Sequence, residues 1–122
     1  RDATVIAYLR MVPVALRAAE RLADEGIEAE VVDLRSLRPL DMDTVLASVR
    51  KTGRTVVVEE ACRTGGFGAE VASRVQEEAF DDLDGPVLRV AGADVPMPYA
   101  RELERAALPS EQQIAAAARG LM

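Results

Sequence analysis

Glu59 and Glu60 close a β-branched run and are followed at once by Cys62 and the turn Thr64-Gly-Gly-Phe-Gly68. Two carboxylates, a thiol and a glycine-rich turn are ingredients of acid–base, nucleophilic and anion-binding chemistry. Each lacks a partner that its chemistry requires. Adjacent carboxylates on a strand end point to opposite faces and do not converge as an acid–base pair. Cys62 has no histidine to activate it, because the chain contains none. The turn can present backbone N–H groups and a helix N-terminus to an anion. It departs from both phosphate signatures, however: Val71 stands where a third glycine belongs, and no Gly-Lys-Ser/Thr follows. The preferred reading is structural: the glycines let the backbone turn tightly and let strand and helix approach closely.

Other candidate chemistry is weaker still. Ser48-x-x-Lys51 and Lys51-Thr-Gly53 echo serine hydrolases, but one lysine would have to serve both motifs and no Ser-Asp-Asn is present. Ser48 also falls beside the apolar stripe Val45, Leu46 and Val49, which predicts an outward position on an amphipathic helix. Asp41 and Asp43 suit a helix N-terminus better than a metal site. Glu59 and Glu60 are left with two readings, a partner contact or plain surface.

The elements that must position these groups follow from periodicity and turn chemistry. Residues 3–8 read as a buried strand. A helix follows, with Pro13 in its first turn, Val12, Leu16, Ala19 and Ala23 as its apolar positions, and Gly26 as its stop. Residues 27–34 form a second strand and residues 35–40 a linker in which Pro39 keeps Arg38 from helical geometry. Asp41 caps a second helix carrying Met42, Val45, Leu46 and Val49, which ends at Gly53. A third strand covers 55–59. Beyond the glycine turn a helix runs from about Gly66 to Phe80, with Phe67, Val71, Val75 and Ala79 inward. A turn at 84–86 precedes a fourth strand at 87–90 and a proline-rich loop at 92–99. A short helix at 101–107 and a terminal helix through Arg119, capped by Ser110 and Gln113, complete the chain. Such alternation predicts an α/β fold, a three-layer α/β/α sandwich around a mostly parallel sheet, as one domain over residues 1–122. The carboxylates and the glycine turn then lie at the carboxyl end of a strand, where open α/β sheets keep their binding surfaces.

Composition narrows the function classes. A formal charge of −6 and a pI near 4.7 argue against non-specific nucleic-acid binding. Four aromatics are too few and too dispersed for a base-stacking platform, and they leave an aliphatic core. No apolar run approaches the ~20 residues of a membrane span. A single cysteine points to a reducing, intracellular setting. The start at Arg1, with a strand almost at once, is what a domain boundary within a longer protein would give, and a processed terminus would look the same.

Taken together, Val31-Val-Asp-Leu-Arg-Ser-Leu-Arg-Pro-Leu-Asp41, Glu59-Glu-Ala61 and Thr64-Gly-Gly-Phe-Gly-Ala-Glu70 resemble the C-terminal domain of transketolase-like, thiamine-diphosphate-dependent enzymes. The segment from Leu83 through Asp94-Val-Pro-Met-Pro-Tyr99 is similar to that of E1 β subunits of 2-oxo acid dehydrogenase complexes, most like the pyruvate-oxidising members. The resemblance runs in order along essentially the whole chain. A transketolase or deoxyxylulose-phosphate synthase domain is the alternative within the superfamily, and a stand-alone α/β protein-binding module the alternative outside it.

The resemblance implies an enzyme only as part of the whole protein: the thiamine ylid attacks a 2-oxo acid, carbon dioxide leaves, and the acyl group passes to a lipoyl arm. Thiamine diphosphate and magnesium are then bound outside this domain, which contributes no catalytic, cofactor or metal residue. Its implied task is assembly with the E1 α subunit, a second E1 β subunit and the E2 acyltransferase core, with no nucleic-acid or membrane partner. The implied compartment is the cytoplasm of a bacterium or the mitochondrial matrix of a eukaryote. Contact residues carried over are Glu59, Glu60, Gly65, Gly66, Phe67, Asp94, Pro96, Met97, Pro98 and Tyr99. Some relatives have histidine at or beside Glu59, so a charge-dependent contact there differs between them and this acidic version. The Pro-Met-Pro-Tyr segment, stiffened by proline and ending in an amphipathic ring, suits a partner anchor.

Overall fold

The computed structural model describes residues 1–122. Four strands, β1 (Ala3–Ala7), β2 (Ala29–Asp33), β3 (Thr55–Cys62) and β4 (Leu88–Gly92), form one sheet in the order β2-β1-β3-β4. All pairings are parallel, so the expected three-layer α/β sandwich is the fold observed. Five helices connect and flank the strands: α1 (Met11–Asp24), α2 (Met42–Thr52), α3 (Gly68–Ala79), α4 (Arg101–Ala107) and α5 (Glu111–Gly120).

Strand alternation decides which helix meets which face. Ile6 on β1 and Tyr8 just beyond it point into one core with Val57, Val45, Val49, Val71 and Val75, beneath α2 and α3. Val5 and Ala7 point the other way, joining Val56, Val58, Ala15, Ala18, Leu22 and Ile114 beneath α1 and α5. Every residue of β1 is buried, which explains why its sequence is apolar on both faces. Because β1 leads outward to β2 while β3 and β4 lie on its other side, the chain reverses direction between β1 and β3. That reversal is the switch point of the sheet.

Local signals set the helix ends. Asp41 accepts from the Thr44 amide at 3.1 Å, and Gly53 closes α2 with a left-handed φ of 70°. Ser110 and Gln113 form the expected reciprocal cap on α5, at 3.2 and 2.9 Å. Arg17 and Arg21 of α1 both reach Glu111 at 2.9 Å and hold its carboxyl below its ordinary value, tying α5 to α1.

Two helix faces differ from expectation. The inward residues of α1 are Met11, Ala15, Ala18 and Leu22, whereas Leu16 is half exposed. Small alanines let α1 lie close to the sheet, and this outweighs the larger apolar side chain one position away. Ser48 is buried, not outward: its hydroxyl and that of Thr52 each lie 2.8 Å from the Thr4 hydroxyl on β1. A hydroxyl with a buried partner is as much an inward residue as a valine. Strand β3 also runs three residues past Glu59, and α3 begins at Gly68 rather than Gly66.

Candidate functional site at the carboxyl edge of the sheet

Tyr8 follows β1 directly, and Glu59 lies on β3. Since Ile6 pairs with Val57 and Ala7 with Val58, the register brings Tyr8 and Glu59 together on the α2–α3 side of the switch point. The Tyr8 hydroxyl donates to Glu59 Oε1 at 3.0 Å, and Arg89 Nη2, from β4, donates to Oε2 at 3.2 Å. The Phe67 ring meets Tyr8 edge-on, with centroids 6.4 Å apart. Glu59 is only 1% exposed, so its charge is held by these two donors. Burial and then the neighbouring carboxylate raise the Tyr8 phenol above its ordinary value of 10.0.

The glycine turn is shaped around this carboxylate. A Cβ on Gly66 would stand 2.6 Å from Glu59 Oε1, and one on Gly68 would stand 2.8 Å from Glu59 Cδ. The anion at the N-terminus of α3 is therefore the chain's own Glu59, in a place the helix dipole favours. Close approach, not an unusual backbone, is what Gly66 provides; the left-handed residue is Gly65, at φ 77°.

A second set of contacts joins the turn to the loop after β4. Asp94 accepts from the Thr64 hydroxyl at 2.6 Å and from its amide at 2.9 Å; the hydroxyl first, then the amide, keep the Asp94 carboxyl below its ordinary value. Arg89 Nη2 also donates to the Arg63 carbonyl at 2.7 Å, and Arg63 donates back to the Arg89 carbonyl at 2.9 Å. Gly92 lies so close to the backbone of Glu60 and Ala61 that no side chain fits there.

Outside this frame the edge is apolar and open. Val95, Met97 and Leu103 are about half exposed, and Tyr99 is fully exposed. Leu9, at the end of β1, is 69% exposed on a left-handed backbone, φ 53°. Arg10, the next residue, reaches Glu104 of α4 at 3.3 Å and so links Leu9 to the same end of the molecule.

The contact residues expected from sequence thus divide. Glu59 is buried within this chain, where Arg89 pairs with its carboxylate and Tyr8 donates to it. Glu60, Gly66, Phe67 and Pro98 are half-buried, while Gly65, Asp94, Pro96, Met97 and Tyr99 are exposed. The network joins Glu59, Gly66 and Phe67, and the Thr64 clamp joins Asp94 to the turn. Tyr8, Leu9, Arg89 and Leu103 belong to this edge without having been singled out. For Tyr8 the signal was a polar aromatic ending an otherwise apolar strand.

The family model described as "Transketolase, C-terminal domain" matches residues 1–114. The chain belongs to that family. It is 56% identical over 119 residues to the pyruvate dehydrogenase E1 component subunit beta-1, mitochondrial, of Arabidopsis thaliana, covering 98% of this chain and 33% of that protein. It is 47% identical over 114 residues to the pyruvate dehydrogenase E1 component subunit beta of Rhizobium meliloti (strain 1021), covering 93% of this chain and 25% of that protein. Among solved structures, a chain titled "Split gene transketolase, inactive beta4 tetramer" superposes with a TM-score of 0.85 at 35% identity, over 98% of this chain and 39% of that one. This transketolase C-terminal domain therefore spans about a third or less of the curated relatives it matches. In the domain, a crevice that other α/β folds leave for ligands is filled by Tyr8, Glu59, Arg89 and Phe67.

Proposed function

We propose that this chain is the C-terminal assembly domain of a pyruvate dehydrogenase E1 β subunit, residues 1–122 forming one domain of a longer polypeptide. The whole enzyme decarboxylates a 2-oxo acid with thiamine diphosphate and passes the acyl group to the lipoyl arm of E2. In this reading the domain packs against E1 α, a second E1 β and the E2 core, through Gly65, Asp94, Pro96, Met97 and Tyr99 and the adjoining Leu9 and Leu103. The plant relatives are named mitochondrial and the bacterial ones are not, which supports a mitochondrial matrix setting in a eukaryote and a cytoplasmic one in a bacterium.

One observation supports the reading: the carboxyl edge of the sheet is plugged from within, while the side chains around it are apolar and uncovered. The residues do not suit thiamine diphosphate. The slot over Gly66 and Gly68 already holds a carboxylate, whose charge would repel a diphosphate. We therefore assign cofactor and magnesium to the rest of the enzyme.

Two measurements test the reading. Residues 1–122 alone, supplied with thiamine diphosphate and magnesium, turn over no 2-oxo acid; measurable decarboxylation would contradict the assignment. In the full-length protein, Tyr99→Ala weakens subunit or E2 association, read by sizing, before it changes cofactor titration. The reverse order would move the anchor role elsewhere.

A further inference from the structure

The end of the domain that carries Tyr99 also carries an imbalance of charge. Arg10, Arg101 and Arg105 line one hollow together with Leu108, and Glu104 is the only carboxylate in its wall. Glu104 is already engaged by Arg10 at 3.3 Å. Arg101 and Arg105 are exposed, and neither takes part in any of the ion pairs within the chain. Unengaged guanidinium groups in a chain of formal charge −6 are a local reversal of sign. Arg101 follows Tyr99 by two residues, and Leu103, 60% exposed, falls between the two arginines in sequence but outside the wall of the hollow.

We infer that this hollow receives aspartate or glutamate side chains of a partner subunit, docked beside Tyr99. The inference rests on the assembly role proposed above and names the chemistry of the partner at that face. Arginine is the residue suited to it, since its planar fork meets a carboxylate through two parallel hydrogen bonds and sheds water more readily than lysine does. An exposed tyrosine and neighbouring arginines are also the residue types that dominate interface energetics. Arg10 acts as the fixed member, held by Glu104, while Arg101 and Arg105 supply the free donors. An approaching acidic segment would be drawn by the hollow and repelled by most of the remaining surface, which fixes its register.

The test uses the full-length protein assembled with its partner subunits. Arg101→Lys and Arg105→Lys keep the charge but introduce amines that a zero-length carbodiimide joins to carboxylates in contact. Within this domain the one other lysine, Lys51, lies 2.6 Å from Glu30 and serves as an internal control. The expected result is an amide from the new amine to an aspartate or glutamate of another chain, mapped by mass spectrometry. Cross-links confined to Glu102 or Glu104 of the same chain, or none, overturn the inference. In parallel, R101E/R105E weakens association by about tenfold or more and flattens its salt dependence. If Tyr99→Ala weakens assembly but this double reversal does not, the carboxylate partner is wrong and the assembly face stands. If neither changes assembly, both fall. Inorganic phosphate protecting Arg101 and Arg105 from arginine-directed reagents in the assembled enzyme would make the hollow a small-anion site instead, and would also overturn the inference.

Discussion

The Tyr8 hydroxyl donates to the Glu59 carboxylate at 3.0 Å across the switch point of the sheet, closing a crevice that the topology would otherwise leave open. Arg89 is the charge that makes this burial tolerable, and its Nε is itself buried without a partner. Losing Arg89 leaves an uncompensated carboxylate, a change that costs about 3–5 kcal/mol. Losing the phenol removes one hydrogen bond to a charged group, about 1.5–3 kcal/mol. Arg89→Met is therefore expected to destabilise the chain more than Tyr8→Phe, measured by urea unfolding. Equal losses would mean that water, and not Arg89, satisfies Glu59.

Gly66 and Gly68 exclude side chains for different reasons, and a double-mutant cycle separates them. At Gly68 the nearest obstacles are the Glu59 carboxylate atoms; at Gly66 the Cys62 carbonyl obstructs as well. Truncation by Glu59→Ala is expected to relieve Gly68→Ala strongly and Gly66→Ala only in part. The coupling energy for the Glu59–Gly68 pair should fall in the range of about 0.5–3 kcal/mol for residues in contact. Additive effects at Gly68 would show that the turn is not built around Glu59.

These relationships mark the limit of what the sequence discloses. Gly53, Asp41 and the Ser110–Gln113 cap were legible because each acts within a few residues of itself, and the short apolar run of Val5, Ile6 and Ala7 read directly as a buried strand. The contact between Tyr8 and Glu59 spans 51 positions, and that between Glu59 and Arg89 spans 30. Both depend on strand order, which local propensity does not encode. Leu9 is harder still, since a leucine in left-handed geometry leaves no trace in its own residue type. The exposed loop through Met97 and Tyr99 was legible because proline and an isolated aromatic stand out from an aliphatic chain. The inward turn of Ser48 was not, because its partner Thr4 lies on another element.

Tyr8 also gives the fold an alkaline limit. Its phenol is raised above 10.0 by burial and by Glu59, so the folded state favours the neutral form. The contribution is fully present below 10.0 and is lost as pH rises through the higher folded value. In Tyr99→Phe, where Tyr8 is the only tyrosine, absorbance titration should give a midpoint above 10.0 that coincides with loss of ellipticity. In Tyr8→Phe the alkaline transition should shift. A midpoint for Tyr8 at its ordinary value would contradict the buried contact.

Asp94 is the residue through which the glycine turn and the Tyr99 loop hold one another. Its carboxylate takes both the hydroxyl and the amide of Thr64, and these donors keep it ionised at lower pH than an ordinary aspartate. Because the folded value is lowered, the clamp is complete above the ordinary aspartate value of 3.8 and is lost as pH falls through the lower one. Asp94→Ala removes both bonds, so the Thr64 amide should lose its protection from hydrogen exchange at neutral pH. Thr64→Val removes only the hydroxyl and should leave that amide largely protected. If the clamp is what presents Tyr99, Asp94→Ala in the full-length protein reduces association in the same direction as Tyr99→Ala, and the two together add little. Full additivity would mean that the turn and the loop meet their partner independently.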